Sequence, residues 1–464
     1  MNIFGIRGGA KVAGRKELTA DSPIETAPIP RMLHVPLQQH VGVPAVPVVS
    51  VGTLVKRGQL IAASKGPVSA PVHAPTSGLV TRIGNYMAPH PSGLPVQTMS
   101  IEADGRDRWA QLPHPLDLDT AKPGEIADRV SQCGVVGMGG AAFPSAVKLS
   151  MGERYKLDSL ILNGAECEPY LTCDDRLMRE RADETIIGTR FMMKALGVPK
   201  AYVAIEDNKP DSFRSMQDAC REDDGIEVVY VPARYPMGSS SHLVQAITGR
   251  ETPASGRTAD LGVIVNNVAT AFAVYEACCL GYPSISRVVT LSGRAVRRPA
   301  NYDVPIGTPI AHLLEQSGGF VEEPQELLMG GPMMGQPLPN LDVPIVKGTC
   351  GVLALLGTEI PEQKVMPCIG CGSCVAVCPA GLLPMEMMSR LDHEDVDGAD
   401  EIGLRDCISC GSCNYVCPSH IPLVQFFNYG KGKLKEQDKD KARHDRIKIL
   451  TERREKRLQE QNGQ

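Results

Sequence analysis

Hydrophobic and polar positions change rhythm repeatedly along the chain, and each change predicts a different kind of element. Between residues 28 and 113 short apolar runs, such as 46–49 and 59–62, alternate with Pro and Gly. That pattern predicts short strands in a sandwich or barrel. From residue 157 to 232 the spacing switches. Segments 157–162, 201–205 and 226–231 are short and apolar. Between them, 183–196 carries Ile186, Ile187, Phe191, Met192 and Ala195 at helical spacing and stops at Gly197-Val198-Pro199, and 210–220 reads as a second helix. Strands separated by helices of this length imply a parallel sheet with crossovers. A smaller unit follows, with strands at 288–293 and 302–304. Its helix is expected to take Thr308 as cap and Pro309 at the first helical position, continue over 311–316, and stop at Gly318-Gly319. The order strand, strand, helix fits a β-grasp module. After Gly432 turn residues nearly vanish and helix formers dominate, so 431–464 reads as a solvated helix. The chain is therefore expected to be multidomain, mixing α/β and α+β parts, with divisions at 28–113, 120–285, 286–350, 360–430 and 431–464.

Composition narrows the function classes. Aromatic residues make up 4% of 464 positions, with a single Trp109, and the net charge is -5. Neither extended base stacking nor a general attraction to phosphate backbones is supported, so no nucleic-acid partner is expected. No run of 18 apolar residues is uninterrupted; 261–282 is broken by Asn266, Asn267 and Glu276. Residues 1–20 lack an apolar signal core, which leads to the expectation of a cytoplasmic chain. Fifteen cysteines in a reducing compartment then favour metal ligation over disulfides. Charge is uneven: residues 431–464 hold 12 Lys and Arg against 7 Asp and Glu. Such a face can also dock to a partner or an anionic membrane. In the N-terminal part, 51–61 and 70–80 resemble the hammerhead of biotinyl and lipoyl carrier domains. Lys65 lies where those carriers present a modified lysine, but Ser64 and Gly66 do not match the modification signature. A scaffold is expected here rather than a carrier.

The cysteines carry the most specific signal. Cys368, Cys371, Cys374 and Cys378 precede Pro379; Cys407, Cys410, Cys413 and Cys417 precede Pro418. Each run is C-x2-C-x2-C-x3-C-P, and the two 12-residue segments are identical at 9 positions. This is the bacterial ferredoxin run for [4Fe–4S] clusters, in which the last cysteine of each run ligates the other cluster. The expected sets are Cys368, Cys371, Cys374 and Cys417, and Cys407, Cys410, Cys413 and Cys378. Structural zinc is the alternative, but a zinc knuckle needs two C-x2-C pairs, not this spacing twice. Cys133, Cys167, Cys173, Cys220, Cys278, Cys279 and Cys350 show no ligand spacing and read as free thiols.

Upstream of the cysteines, three segments could bind a nucleotide. Residues 134–145 form a glycine-rich run (Gly134, Gly137, Gly139, Gly140) before Lys148, able to close backbone amides around a phosphate with the lysine adding charge. Ordinary turns are the bland alternative. The strand at 157–162 ends in Asn163, Glu166 and Glu168, then Asp174 and Asp175, where open parallel sheets bind ligands. Asn266 and Asn267 sit inside an apolar segment and need hydrogen-bond partners if buried. Taken in this order, the segments resemble the FMN-binding subunit of respiratory complex I, and more closely the RnfC family, the C subunits of the Rnf (Rsx) ion-translocating electron transport complex. The resemblance extends over most of the chain and takes in the Gly330-Gly331-Pro332-Met333-Met334-Gly335 stretch. It implies a barrel-sandwich N-domain, a Rossmann-like FMN domain, an SLBB-like β-grasp unit and a two-cluster ferredoxin-like helical domain. It implies FMN held by Gly137, Gly139, Gly140, Lys148, Asn163, Glu166, Glu168, Asn266 and Asn267, with NADH as the hydride donor. It also implies a peripheral place on the cytoplasmic face of the inner membrane. There the chain would contact the bilayer through partner subunits, with ferredoxin or flavodoxin as an indirect partner. Ala165 and Tyr170 replace the Asp and Gly of the complex I pattern, so no NADH contact is carried over. A pure electron relay without its own NADH site is the alternative function.

Overall fold

The computed structural model describes residues 3–462 apart from 88–93, 141, 222–224 and 361–363, with the backbone alone at 456 and 458–462. Ala141 of the glycine-rich run thus lies outside the described residues. The chain forms two compact units, Met1–Ile6 with Lys11–Glu362 and Arg7–Ala10 with Gln363–Gln464.

The larger unit begins with an edge strand, β1 (Ile24–Thr26), followed by seven short strands: β2 (Met32–Pro36), β3 (Val46–Pro47), β4 (Leu54–Val55), β5 (Leu60–Ala63), β6 (Val72–His73), β7 (Gly78–Tyr86) and β8 (Val96–Ala103). They make two antiparallel sheets, β2-β8-β7-β4 and β3-β5-β6, around a core of Val35, Leu37, Ile61, Val72, Val80, Met99 and Ile101. The predicted strand at 46–49 is only two residues long. Val48 keeps one ladder bond, donating to Ile61.

The middle of the unit is α/β. Helices α1 (Pro123–Gln132) and α2 (Ser145–Leu149) precede β9 (Ser159–Gly164), α3 (Cys173–Glu180), α4 (Ala182–Leu196), β10 (Lys200–Glu206), α5 (Pro210–Ala219), β11 (Ile226–Val231), α6 (Ser240–Thr248), β12 (Val263–Asn267) and α7 (Val268–Tyr275). The strands form the parallel sheet β11-β10-β9-β12. Its strands are nearly continuous in apolar residues because helices cover both faces. The register pairs Asn267 with Asn163, which brings the carboxyl ends of β9 and β12 side by side.

A third sheet, β1-β14-β13-β17-β15-β16, uses β13 (Ser286–Ser292), β14 (Ala300–Pro305), β15 (Glu326–Met329), β16 (Gln336–Pro337) and β17 (Gly351–Leu355), with α8 (Ile310–Gln316) packed against it through Leu313 and Leu314. Here the expected cap moves by one residue. Pro309 is extended, with ψ 141°, so it caps the helix and Thr308 lies outside.

The smaller unit holds α9 (Ser373–Val377), α10 (Pro384–Asp392), α11 (Val396–Glu401), α12 (Ser412–Tyr415) and the 40-residue α13 (Leu423–Asn462). Gly9 of the N-terminal segment donates to Val377. The solvated helix expected from 431 begins instead at Leu423 and runs through Gly430 and Gly432. A Cβ at Gly430 would lie 2.6 Å from Leu391 and 2.8 Å from Leu404, so this glycine lets α13 pack closely on α10 and its neighbours. Phe427 and Leu434 are buried in the same core as Met387, Leu391 and Leu404.

Candidate functional site

The predicted nucleotide residues gather at the carboxyl ends of β9 and β12. The glycine-rich run folds into a tight turn closed by a bridge between Val136 and Pro144, with Gly137 donating to Phe143 at 2.7 Å. Met138 donates to the Thr270 hydroxyl at 2.9 Å, which fixes the turn against α7. Gly139 faces Asn267: an added Cβ would stand 3.3 Å from the Asn267 Cβ. Lys148 comes off α2 toward the sheet, and its ammonium donates to the Val265 carbonyl at 3.0 Å. That differs from the expectation of a lysine offered to a phosphate. The charge sits behind the turn, and burial lowers its pKa.

The two asparagines have different tasks. Asn267 caps α7, accepting from Ala269 at 2.9 Å, and its amide donates to Asp174 at 2.6 Å and to the Asn163 carbonyl at 3.3 Å. Asn266 is 3% exposed, and neither its Oδ1 nor its Nδ2 has a partner in the protein. Buried unpaired polar groups cost about 1–3 kcal/mol each, so a bound group that both donates and accepts there removes a standing penalty. This is the chemistry a flavin ring presents, and the residues present fit FMN on that ground. Asp174 also keeps one unpaired buried oxygen, Oδ1.

The acidic loop after β9 is held from within. Asn163 donates to the Gly238 carbonyl at 2.7 Å and accepts from Ala165 at 3.1 Å. Glu166 accepts from the Asp174 amide at 2.7 Å and the Asp175 amide at 3.3 Å, placing its carboxylate at the start of α3. Burial pushes its pKa up, and Lys16, 3.8 Å away, opposes the shift. Glu168 accepts from Met333 at 3.0 Å, tying this loop to the Gly330–Gly335 stretch. Burial raises it to about 7, opposed by the Met333 and Met334 amides. Gly331 must be glycine here, because a Cβ would sit 2.2 Å from the Glu168 carboxylate. The two glutamates therefore shape the loop through their carboxylates rather than leaving them free.

In the smaller unit the thiols separate into two groups. Cys368, Cys371, Cys374 and Cys417 line one cavity with an empty volume of about 380 Å³, together with Met385, Met388 and Leu423. Cys378, Cys407, Cys410 and Cys413 line a second of about 370 Å³, with Met387 and Phe427. Each cavity takes three thiols from one run and the last thiol of the other. Four sulfurs around an apolar-walled space suit a cubane cluster.

Comparison with known proteins follows this division. Residues 4–106 match the RnfC barrel sandwich hybrid domain, 130–276 the Nuo51 FMN-binding domain, 288–337 the SLBB domain and 367–421 the 4Fe-4S dicluster domain. The chain is 54% identical over 442 residues to the C subunit of the ion-translocating oxidoreductase complex of Rhodobacter capsulatus, covering 95% of this chain and 85% of that one. It is 45% identical to the C subunit of the proton-translocating ferredoxin:NAD(+) oxidoreductase complex of Clostridium ljungdahlii, covering 92% and 93%. To the C subunit of the Pseudomonas aeruginosa ion-translocating oxidoreductase complex it is 43% identical, covering 97% of this chain and 58% of that one. The chain belongs to the RnfC family, the C subunits of the Rnf ion-translocating oxidoreductase complex.

This RnfC chain is an electron-transfer component that uses FMN and two [4Fe–4S] clusters, and other subunits of the complex are its partners. Among the described residues no helix is long and apolar enough to cross a membrane. Several residues that shape the acidic loop and the glycine-rich turn carry no spacing signal. Lys16 donates to the carbonyls of Glu166 at 2.9 Å, Glu168 at 3.1 Å and Leu171 from 150 residues upstream. Lys209, buried, donates to Ala165 at 2.7 Å and Glu206 at 2.9 Å. Arg287 from β13 donates to the Met138 carbonyl at 2.9 Å and the Thr349 carbonyl at 3.1 Å. Among the described residues the seven remaining cysteines form no disulfide, and burial pushes Cys278 up to about 12 and raises Cys279.

Proposed function

We propose that this protein is the electron-input arm of the complex, taking a hydride from NADH and passing single electrons through its iron–sulfur unit toward ferredoxin or another subunit. Bound FMN would supply the conversion of a two-electron hydride into single electrons, and the clusters their one-electron carriage. Gly137, Gly139, Gly140, Asn163, Glu166, Glu168, Asn266 and Asn267 would hold the flavin, with Lys148 supporting the turn from behind. Asn266 would bond the flavin directly. Asn267 and Asn163 keep the two strand ends in register. Glu166 and Glu168 hold the acidic loop at its two ends, on α3 and on the Gly330–Gly335 stretch. Cys368, Cys371, Cys374 and Cys417 would ligate one cluster, and Cys407, Cys410, Cys413 and Cys378 the other. No side-chain acid or base is required for hydride transfer, which agrees with a site built from amides and structural carboxylates. The reading places the protein peripherally, on the cytoplasmic face of the membrane, with partner subunits making the bilayer contact.

The observation that carries the flavin assignment is the doubly unpaired, buried Asn266 amide. The assay is anaerobic holo-protein mixed with NADH and followed by absorbance. Bleaching of the flavin and cluster bands is the expected result. Bands that respond to dithionite but not to NADH would instead establish a relay that takes electrons from another subunit.

A further inference from the structure

The two cysteine runs are identical at 9 of 12 positions, yet they sit in different surroundings. Cys368 and Cys371 are exposed, and Ile369 between them is 71% exposed. In the second run Cys410 is 7% and Cys413 8% exposed. The runs differ at Gly370/Ser409, Val375/Asn414 and Ala376/Tyr415, and they differ in what packs on them. Over the second run lies α13. Asn428 bonds the Ser409 hydroxyl at 2.9 Å, Lys431 donates to the same hydroxyl at 3.3 Å and to the Cys407 carbonyl, and Phe427 is buried against the second cavity. Among the described residues no element covers the first run in the same way. Its cavity is backed by Met385, Met388 and Leu423, and the Cys368, Ile369 and Cys371 that line it are exposed. Around that mouth Val365 is 57% and Met366 51% exposed. No charged residue lines the cavity, and residues 365–375 include none.

We propose that the first run is the port through which electrons cross between this protein and a separate one-electron protein carrier, while α13 excludes the second run from such exchange. The inference rests on the ligand sets proposed above. Electron transfer weakens steeply with distance, so exchange between proteins goes through the group nearest the surface. The step moves one electron: the centre behind Cys368 and Cys371 is oxidised by one, the partner's centre is reduced by one, and no bond or proton moves. Reversal of the driving force reverses the step. The uncharged mouth selects the partner's chemistry. Its complement is a small apolar, uncharged patch around a surface-near redox centre, on the scale of transient electron-transfer encounters.

The test uses anaerobic full-length holo-protein. Iron analysis comes first: about eight irons per chain supports the ligand sets, and fewer contradicts those sets and the port together. The reduced protein is then studied by EPR power saturation with a soluble dysprosium chelate, a relaxant that acts only on centres near the surface. Cys371→Ser and Cys410→Ser identify which signal belongs to which run. The signal lost in Cys371→Ser should relax several-fold more strongly. Equal enhancement, or a stronger effect on the other signal, overturns the port. Uncovering the second run with Asn428→Ala and Lys431→Ala together should bring its relaxation toward that of the first. No change would remove the role given to α13. Finally, Ile369→Asp should slow electron exchange with a small bacterial two-cluster ferredoxin by about tenfold, at unchanged iron content. An unchanged rate overturns the proposal.

Discussion

Asn266 offers the sharpest perturbation, because its substitution should move stability and cofactor affinity in opposite directions. Leu is close to Asn in shape and carries no polar atoms. In the flavin-free protein the Asn266 amide is buried with both polar atoms unpaired, and each such group costs about 1–3 kcal/mol. Asn266→Leu should therefore stabilise the flavin-free chain by about 2 kcal/mol, which for a unit of this size raises its unfolding midpoint by about 2–3 °C. The same change removes the hydrogen bonds that Asn266 would give to the flavin. At about 0.5–1.5 kcal/mol each, two such bonds are worth about 2 kcal/mol, or roughly a thirtyfold rise in Kd. Calorimetry of stripped protein gives the first quantity, and titration of FMN fluorescence quenching gives the second. A variant that loses stability without flavin and binds FMN as the parent does would refute the reasoning, since Asn266 would then be satisfied by the protein and idle toward the ligand.

The remaining predictions concern other parts of the structure. Lys16→Met strips donors from three loop carbonyls and leaves Glu166 without its cation. It should cost about 3–5 kcal/mol by urea titration, as breaking a buried pair does; a loss below about 1 kcal/mol would mean the loop holds itself. Lys347 is buried, bonded to the carbonyls of Pro71 at 3.1 Å and Gly134 at 2.6 Å, and burial lowers it to about 7. The folded chain therefore holds this proton less tightly than the unfolded one. Its contribution to stability should rise from pH 7 toward 10 by up to ~1.4 kcal/mol per unit, and Lys347→Met should abolish that slope in urea midpoints. Cys378→Ser should remove the same EPR signal as Cys410→Ser. Loss of the signal removed by Cys371→Ser would exclude the exchange of fourth ligands.

How much of this was legible depended on how local each cause was. Cysteine spacing reflects the geometry of a cubane, so two runs 39 residues apart could be recognised from the residues alone. The α/β rhythm likewise predicted β9, α4, β10, α5 and β11 within a residue or two, because strands and helices there carry their own periodicity. Causes that act across the fold left no local trace. Lys16 works 150 residues from Glu166. Glycine disfavours a helix interior by propensity, whereas Gly430 serves close packing on Leu391 and Leu404, which only the tertiary structure reveals. Lys148 had the right composition for a phosphate contact, but the direction of α2 sends it to Val265. Asn266 and Asn267 read alike in sequence. Their difference, one satisfied and one not, depends on Asp174 lying opposite Asn267.

The most direct measurement is EPR of the anaerobic, cluster- and flavin-loaded chain after one equivalent of NADH, with no other protein of the complex present. Reduced [4Fe–4S] signals from both runs are the predicted result, an electron in each, matching the two electrons of the hydride. Clusters that stay oxidised with NADH yet reduce with dithionite would contradict an electron-input role.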